Sequence, residues 1–264
     1  MMLHDLIVKR GTIVEDIRKI KNRAGPVLRP GREASIIRRL ASKHHGDFPL
    51  PALVCLWREM IGGFTHMQEP FSAVVCASAG NDRVVGLARN HYGSLTPLTA
   101  LSTASACVGA VAAGAAQIGI LPMPAAEESE AWWTMLMAED DMTPRVVTRL
   151  PFVSAGAGDQ ALVVAPWTRD TSEDEVSLIG IHLAERVSRG RTTNAAGAAG
   201  FAQAILLSSV EPQPDDYFQL IEVDGDVGDD DPRLMALAAE FGKAFVQIRI
   251  IGGYARPLTI SDKT

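Results

Sequence analysis

At the N-terminus, apolar positions recur with a helical period. At about 100° per residue, Leu3, Leu6, Ile7, Val14 and Ile17 fall on one face. Arg10 and Lys21 project from the centre of that face rather than from its edge. The pattern predicts a helix over residues 3–23 that turns two cations inward. A buried, unpaired cation costs several kcal/mol, and an arginine cannot avoid that cost by losing its proton, so an anion is expected between them. Breaks at Gly25-Pro26 and Pro30-Gly31 precede a second helix over 32–43, which places Glu33, Ile37 and Leu40 on its inner side and Arg32 at the margin. A further break over 46–51 leads to a third helix over 51–68, with Pro51 suited to its first turn. Leu53, Trp57, Met60, Ile61 and Phe64 form its apolar row, and Gln68 ends it. Residues 1–70 read as a helical unit.

From Phe71 the period changes. A strand over 71–76, a helix over 82–92, a strand near 96–98, a small-residue helix over 105–114 and a strand over 117–121 imply a small parallel α/β sheet. Residues 122–130 read as a loop, after which Trp132-Trp133 packs back onto the body. Strands are expected over 145–150, 161–165, 176–184, 218–223 and 244–251, with helices over 194–207 and 232–241, which suggests an α+β sandwich. A flexible connector is expected over 154–159. The expected units are therefore 1–70, 71–153 and 160–264.

Composition narrows the class. A chain of 264 residues allows about one to three domains. No stretch approaches the roughly 18 uncharged apolar residues of a membrane span, and the charged, amphipathic N-terminus does not read as a secretory signal. Cys55, Cys76 and Cys107 are widely spaced without a CxxC pair, which suits free thiols and a cytoplasmic setting. The net charge of −6 hides a basic end: residues 1–45 hold eleven Lys and Arg against four Asp and Glu. Because the key cations face inward, a small polyanion fits better than nucleic acid, which would need an exposed cationic stripe.

Arg10 and Lys21 are three helical turns apart, roughly 16 Å of rise, so both side chains can converge on a ligand lying along the helix. With Arg32, Glu33 and Gln68 they make five polar groups directed toward one helical core. The structural alternative pairs Arg10 with Glu33 and lets Lys21 reach solvent at the helix end. Other motifs carry little. Residues 224–231 resemble a calcium loop, but Met235 stands where a bidentate Glu is needed, and His44-His45 lacks a third metal ligand. No phosphate-cradling glycine motif or nucleophile elbow occurs, and neither metal nor cofactor is implied.

The run LHDLIVKRGTIVEDIRKIKNRAGPVLRPGREASIIRRLASKHHGDFPLPALVCLWREMIGGFTHMQ resembles the all-helical chorismate mutase family. The likeness spans residues 3–68 and rests on R-x10-K in the first helix, a P-x-RE start to the second, an LP-x-L start to the third and a Gln near its end. It implies an entwined homodimer that converts chorismate to prephenate. Arg10 and Lys21 would hold carboxylate and ether oxygen, Gln68 would donate to the ether oxygen, Glu33 would bond the substrate hydroxyl and Arg32 would order the pocket. Arg29 stands where the family has an acidic residue, and Phe64 where it has a small hydroxyl residue. The family's first helix normally starts about five turns earlier and brings an arginine into the partner's pocket; the sequence from Met1 onward has no counterpart.

The remainder resembles a reduced form of the bifunctional chorismate mutase–prephenate dehydratase proteins. FSAVVC, LARNHYG and VGAVAAGAAQIGILPMP are similar to the first dehydratase lobe, but Pro122-Met123-Pro124 replaces the family's P-x-E-N-[ST] turn. The Thr-Arg-Phe site motif is echoed only by Thr148-Arg149-Leu150. Residues from about Val176 to Tyr254 are similar to the small-molecule-binding ACT module. The implied fold is multidomain α and α/β: a three-helix mutase-like domain, a small parallel α/β lobe and an ACT-like α+β module. The implied function is a chorismate mutase in aromatic amino acid synthesis whose C-terminal part is regulatory or structural, with an aromatic amino acid as possible effector. The alternatives are a non-catalytic metabolite sensor on the same scaffold, a mutase that retains dehydratase activity, and an anion- or nucleic-acid-binding adaptor.

Overall fold

The computed structural model describes residues 2–20, 28–77, 83–126, 130–154, 158–166 and 170–259. Lys21, the expected helix end near Arg23, the Gly25-Pro26 break, most of the acidic loop before Glu130 and the centre of the expected connector lie outside them. The N-terminal unit has three helices: α1 (Met2–Ile20), α2 (Pro30–Lys43) and α3 (Leu50–Gln68). Proline stands in the first turn of both α2 and α3, where its missing N–H costs nothing.

The rest builds a nine-stranded sheet and a separate two-stranded pair. In chain order come β1 (Ala73–Cys76), α4 (Arg83–Tyr92), β2 (Leu98–Leu101), α5 (Ala104–Ala112), β3 (Ile118–Pro122) and a 3₁₀ turn (Trp132–Met137). Next are β4 (Arg145–Leu150), β5 (Val153–Ser154), β6 (Ala161–Ala165), β7 (Glu175–Leu183), α6 (Arg189–Ala198) and β8 (Ile205–Gln213). The chain closes with β9 (Asp216–Asp224), α7 (Pro232–Phe241), β10 (Phe245–Ala255) and β11 (Leu258–Thr259). Nine strands run in the order β2-β1-β3-β6-β4-β10-β7-β9-β8, and β5 pairs separately with β11. The expected parallel sheet is β2-β1-β3, with Ala73 opposite Leu98 and Ile118. The C-terminal β7-α6-β8-β9-α7-β10 is an antiparallel split βαβ unit, its four strands ordered fourth, first, third, second.

Three expectations are corrected. The helix expected over 194–207 lies earlier, at Arg189–Ala198, and residues 205–207 begin strand β8. A Schellman-type stop ends it: the Gly200 N–H reaches the Gly197 carbonyl and the Phe201 N–H the Ala196 carbonyl, with Gly200 at φ +92°. The strand expected near 96–98 is β2, three residues downstream at its end. The units expected at 71–153 and 160–264 share one sheet, because β6 inserts between β3 and β4, and β4 meets β10 where Val146 faces Gly252. Gly252 has φ +124°, and a side chain there would run into the Val146 backbone.

Alternating side chains sort the core onto two faces. Val74, Leu121, Val146, Leu162, Val164, Leu178 and Leu220 pack under α5 and the buried Trp132 and Trp133, as expected for that pair. On the other face, Ala73, Val75, Ile118, Ile120 and Val163 meet α4, while Ile179, Ile181, Ile221 and Val223 meet α6 and α7. The helical unit joins this body through Ala34 and Ile37 of α2, Val54 of α3, Phe152 and Ala255.

Candidate active site

Helix α3 presents its buried row at Val54, Arg58 and Thr65. That row is one residue, about 100°, away from the expected row of Leu53, Trp57, Ile61 and Phe64, which is only half-buried. The shift brings in a cation that the apolar pattern hides. Arg58, 3% exposed, places Nη1 at 2.6 Å from Oε2 of Glu33, itself 9% exposed. Glu33 is thus buried as expected, but its partner is Arg58 rather than Arg10. Burial pushes the Glu33 carboxyl above its usual range, and the charge and hydrogen bond of Arg58 oppose the rise. The guanidinium lies 5.8 Å from the centroid of the Phe152 ring, and its charge reaches His91 and Tyr92 at the end of α4. Burial, and then Arg58, hold the His91 imidazole well below its ordinary pKa; burial and the Glu33 carboxylate push the Tyr92 phenol up.

Arg10, expected to be buried, is exposed. Its guanidinium carbon sits 5.3 Å from the centroid of Phe64, and Gln68 donates to the Phe64 carbonyl at 3.2 Å. The reason lies in α1 itself: Gly11 is its only buried residue among those described, seated against Phe64 and Met67, while Arg18 donates to the Met67 carbonyl at 3.1 Å. The apolar face around Arg10 has no cover within one chain, with Leu3 71%, Leu6 58% and Ile17 43% exposed. Arg10, Phe64 and Gln68 therefore form one group and Glu33 and Arg58 another, about six residues apart on α3 and roughly 120° around it.

The start of α2 is held from a distance. Asp170 accepts the Gly31 N–H at 3.0 Å and the Arg32 N–H at 3.2 Å, and pairs with Arg29 Nε at 3.3 Å. A carboxylate thus occupies the positive end of the helix, where two site candidates, Arg29 and Arg32, extend exposed side chains. Gly31 is required because a β-carbon would collide with the carbonyl oxygens of Asp170 and Thr171. Further along α2, Arg38 donates to Ser172 Oγ at 3.1 Å, to the carbonyls of Glu173 and Asp174, and to the Arg256 carbonyl at 2.8 Å.

The features that resemble a dehydratase site are engaged internally. Arg149 donates to Tyr254 Oη at 3.0 Å and to Gln160 Oε1 at 2.8 Å, and lies 3.5 Å from Glu222, which also accepts from Tyr254. The N-terminus of α5 is closed by Glu130, whose carboxylate accepts from the Ser105 N–H at 2.7 Å, from the Ala104 N–H at 3.3 Å and from Ser105 Oγ. Among the described residues no group of three or more His, Cys, Asp and Glu is placed to hold a metal, and no helix is long and apolar enough to cross a membrane.

Three helices that bury a Glu–Arg pair, fused to a mixed sheet ending in a split βαβ unit, define a two-part class: an all-α module carried on an α/β body. Residues 1–69 match the family described as chorismate mutase type II. That places a chorismate mutase domain, and with it isomerase chemistry, at the N-terminus of this chain. Among solved structures, the prephenate dehydratase of Arthrobacter aurescens in complex with L-Phe is similar in fold, at TM-score 0.50 and 11% identity over 72% of this chain and 93% of that one. GqqA, described as a novel type of quorum quenching acylase, gives TM-score 0.47 and 12% identity over 72% of this chain and 96% of that one. The prephenate dehydratase of Streptococcus mutans gives 0.45 and 12%, over 71% and 98%. No curated protein matches the chain.

Proposed function

We propose that the helical unit converts chorismate to prephenate, with Arg10, Lys21 and Gln68 as catalytic groups and Arg29, Arg32, Glu33 and Phe64 around the substrate, in a site completed by a second copy of the chain. The match of residues 1–69 to the mutase family carries this reading. The chemistry suits the residues. A Claisen rearrangement is unimolecular and needs no nucleophile or proton transfer, so the protein has only to hold a compact conformer and stabilise charge on the ether oxygen. Arginine supplies the first through paired hydrogen bonds to carboxylate, and a Lys/Gln donor pair the second.

The second copy is supported by α1. A helix that exposes Leu3, Leu6, Ile13 and Ile17 around a site arginine has the character of an interface. A paired α1 would cover that face and desolvate Arg10. The setting is assigned to the cytoplasm on the free cysteines Cys55, Cys76 and Cys107. The C-terminal βαββαβ unit is assigned an ACT-like regulatory role with an aromatic amino acid as effector. Its topology supports this, as does the similar dehydratase fold solved with L-Phe.

The test is loss of chorismate absorbance with the purified full chain, with prephenate and phenylpyruvate separated, run with and without millimolar phenylalanine. The wild-type chain is expected to form prephenate, and Arg10→Ala to lower kcat/KM about 100-fold or more, the scale for losing one preorganised charge-stabilising donor. An Arg10→Ala protein with unchanged kcat/KM would end the assignment of Arg10.

A further inference from the structure

The Glu33–Arg58 pair has a geometry that a structural ion pair does not need. The bond is single: Arg58 Nη1 holds Oε2 at 2.6 Å, and among the described residues nothing hydrogen-bonds Oε1. The guanidinium lies 5.8 Å from the centroid of the Phe152 ring, and its charge reaches the buried His91 and Tyr92 at the C-terminal end of α4. Phe152 is shared with Arg38, whose guanidinium carbon lies 5.5 Å from the ring centroid and whose hydrogen bonds tie α2 to residues 172–174 and 256. Glu33 is thus held by one oxygen on a support built from the α/β body, with the other oxygen left to meet a donor.

We propose that Arg58 is a positioning residue for chorismate turnover: it holds Oε2 and so aims the carboxylate of Glu33, leaving Oε1 to accept the substrate hydroxyl. The inference rests on the mutase reading and adds a residue to it. Arg58 does not touch substrate; it acts through Glu33. The groups facing the pair are Asp170 from the segment that caps α2, and His91 and Tyr92 from α4. Asp170 adds negative charge near Glu33, so Arg58 is the cation that offsets both burial and that neighbour. His91 is buried and held neutral, and Tyr92 is a phenol far from ionising, so neither can replace Arg58 as a counter-ion near neutral pH.

The experiment measures kcat and KM for chorismate from pH 5 to 9 on the full chain as wild type, Arg58→Gln, Arg58→Lys, Glu33→Gln and the double variant Glu33→Gln/Arg58→Gln, with circular dichroism to follow folding. Without Arg58, Glu33 stays protonated to higher pH. Arg58→Gln should therefore move the acid limb of kcat/KM upward by about one unit or more and lower kcat/KM at neutral pH about tenfold or more. Arg58→Lys keeps the charge and loses the planar fork, so it should leave the limb near the wild-type position while lowering kcat/KM about fivefold. Glu33→Gln should abolish the limb, and the double variant should be no worse than Glu33→Gln. If Arg58→Gln does not fold, Arg58→Lys carries the test alone. Wild-type kcat/KM in a folded Arg58 variant, or losses that add in the double variant, would overturn the positioning role and leave the mutase reading intact. A wild-type chain with no turnover would remove both.

Discussion

At the scale of single residues, the buried charges govern how the protein responds to pH. His91 is 9% exposed, packs edge-on against Tyr92 at 4.7 Å between centroids, and is held well below its ordinary value of 6.5 by burial and by Arg58. The sign follows from proton uptake. Below pH 6.5 the unfolded chain binds a proton at this site that the folded chain refuses, so the stability it contributes is complete above 6.5 and falls as pH drops through that value. Urea midpoints should therefore decline from pH 7.5 to 5, and the decline should be shallower in His91→Phe. Parallel curves for the two proteins would refute the assignment. Residues of this kind were only partly legible in the sequence. Glu33 was, because it falls beside Ile37 and Leu40. Arg58 was not, because a cation flanked by Trp57 and Met60 looks like the outer edge of an apolar stripe until α4 is known to pack there. Periodicity reports that a helix has two faces, and the side with the more buried partner is decided by contacts distant in sequence.

At the scale of elements, α2 is held as much from outside the helical unit as from within it. Arg38 spends its guanidinium on one hydroxyl and three carbonyls of residues 172–174 and 256, and its side chain is 16% exposed. Removing it leaves those acceptors short of a donor in a partly buried seam, a loss of about 2–3 kcal/mol given that hydrogen bonds to charged groups run to about that size. Arg38→Ala should lower the urea midpoint accordingly and raise protease cutting between α2 and β7. An unchanged midpoint would mean that the clamp contributes nothing. Local pattern found most elements here: Ala161–Ala165 and Pro232–Phe241 fall where expected, since one is a short apolar run and the other starts on Asp-Pro and ends at glycine. It failed at α6, where an Ala/Gly-rich texture continues past the turn at Gly200 and only backbone conformation marks the stop.

At the scale of the molecule, the order of strands was beyond sequence reasoning, because β6 enters between β3 and β4 and joins what composition divides. Pairing across a sheet is chosen by all the strands together, and no local signal carries it. The uncovered α1 is a second property of the whole. If a second copy covers it, Ile13→Asp, at a site 51% exposed in one chain, should shift light-scattering mass from dimer toward monomer and reduce chorismate turnover with it. A wild-type chain that is monomeric at micromolar concentration and still active would rule out a shared site.

The seam between α2 and the C-terminal strands also orders events in time. A ribosome releases Arg38 long before the carbonyl that it grips at Arg256, 218 positions further on. It likewise exposes the first turn of α2 well before Asp170, which caps it from 139 positions away. Throughout that interval the nascent second helix has neither its cap nor its clamp. The second helix is therefore made well before the segments that cap and clamp it, and it is among the last elements to be finished.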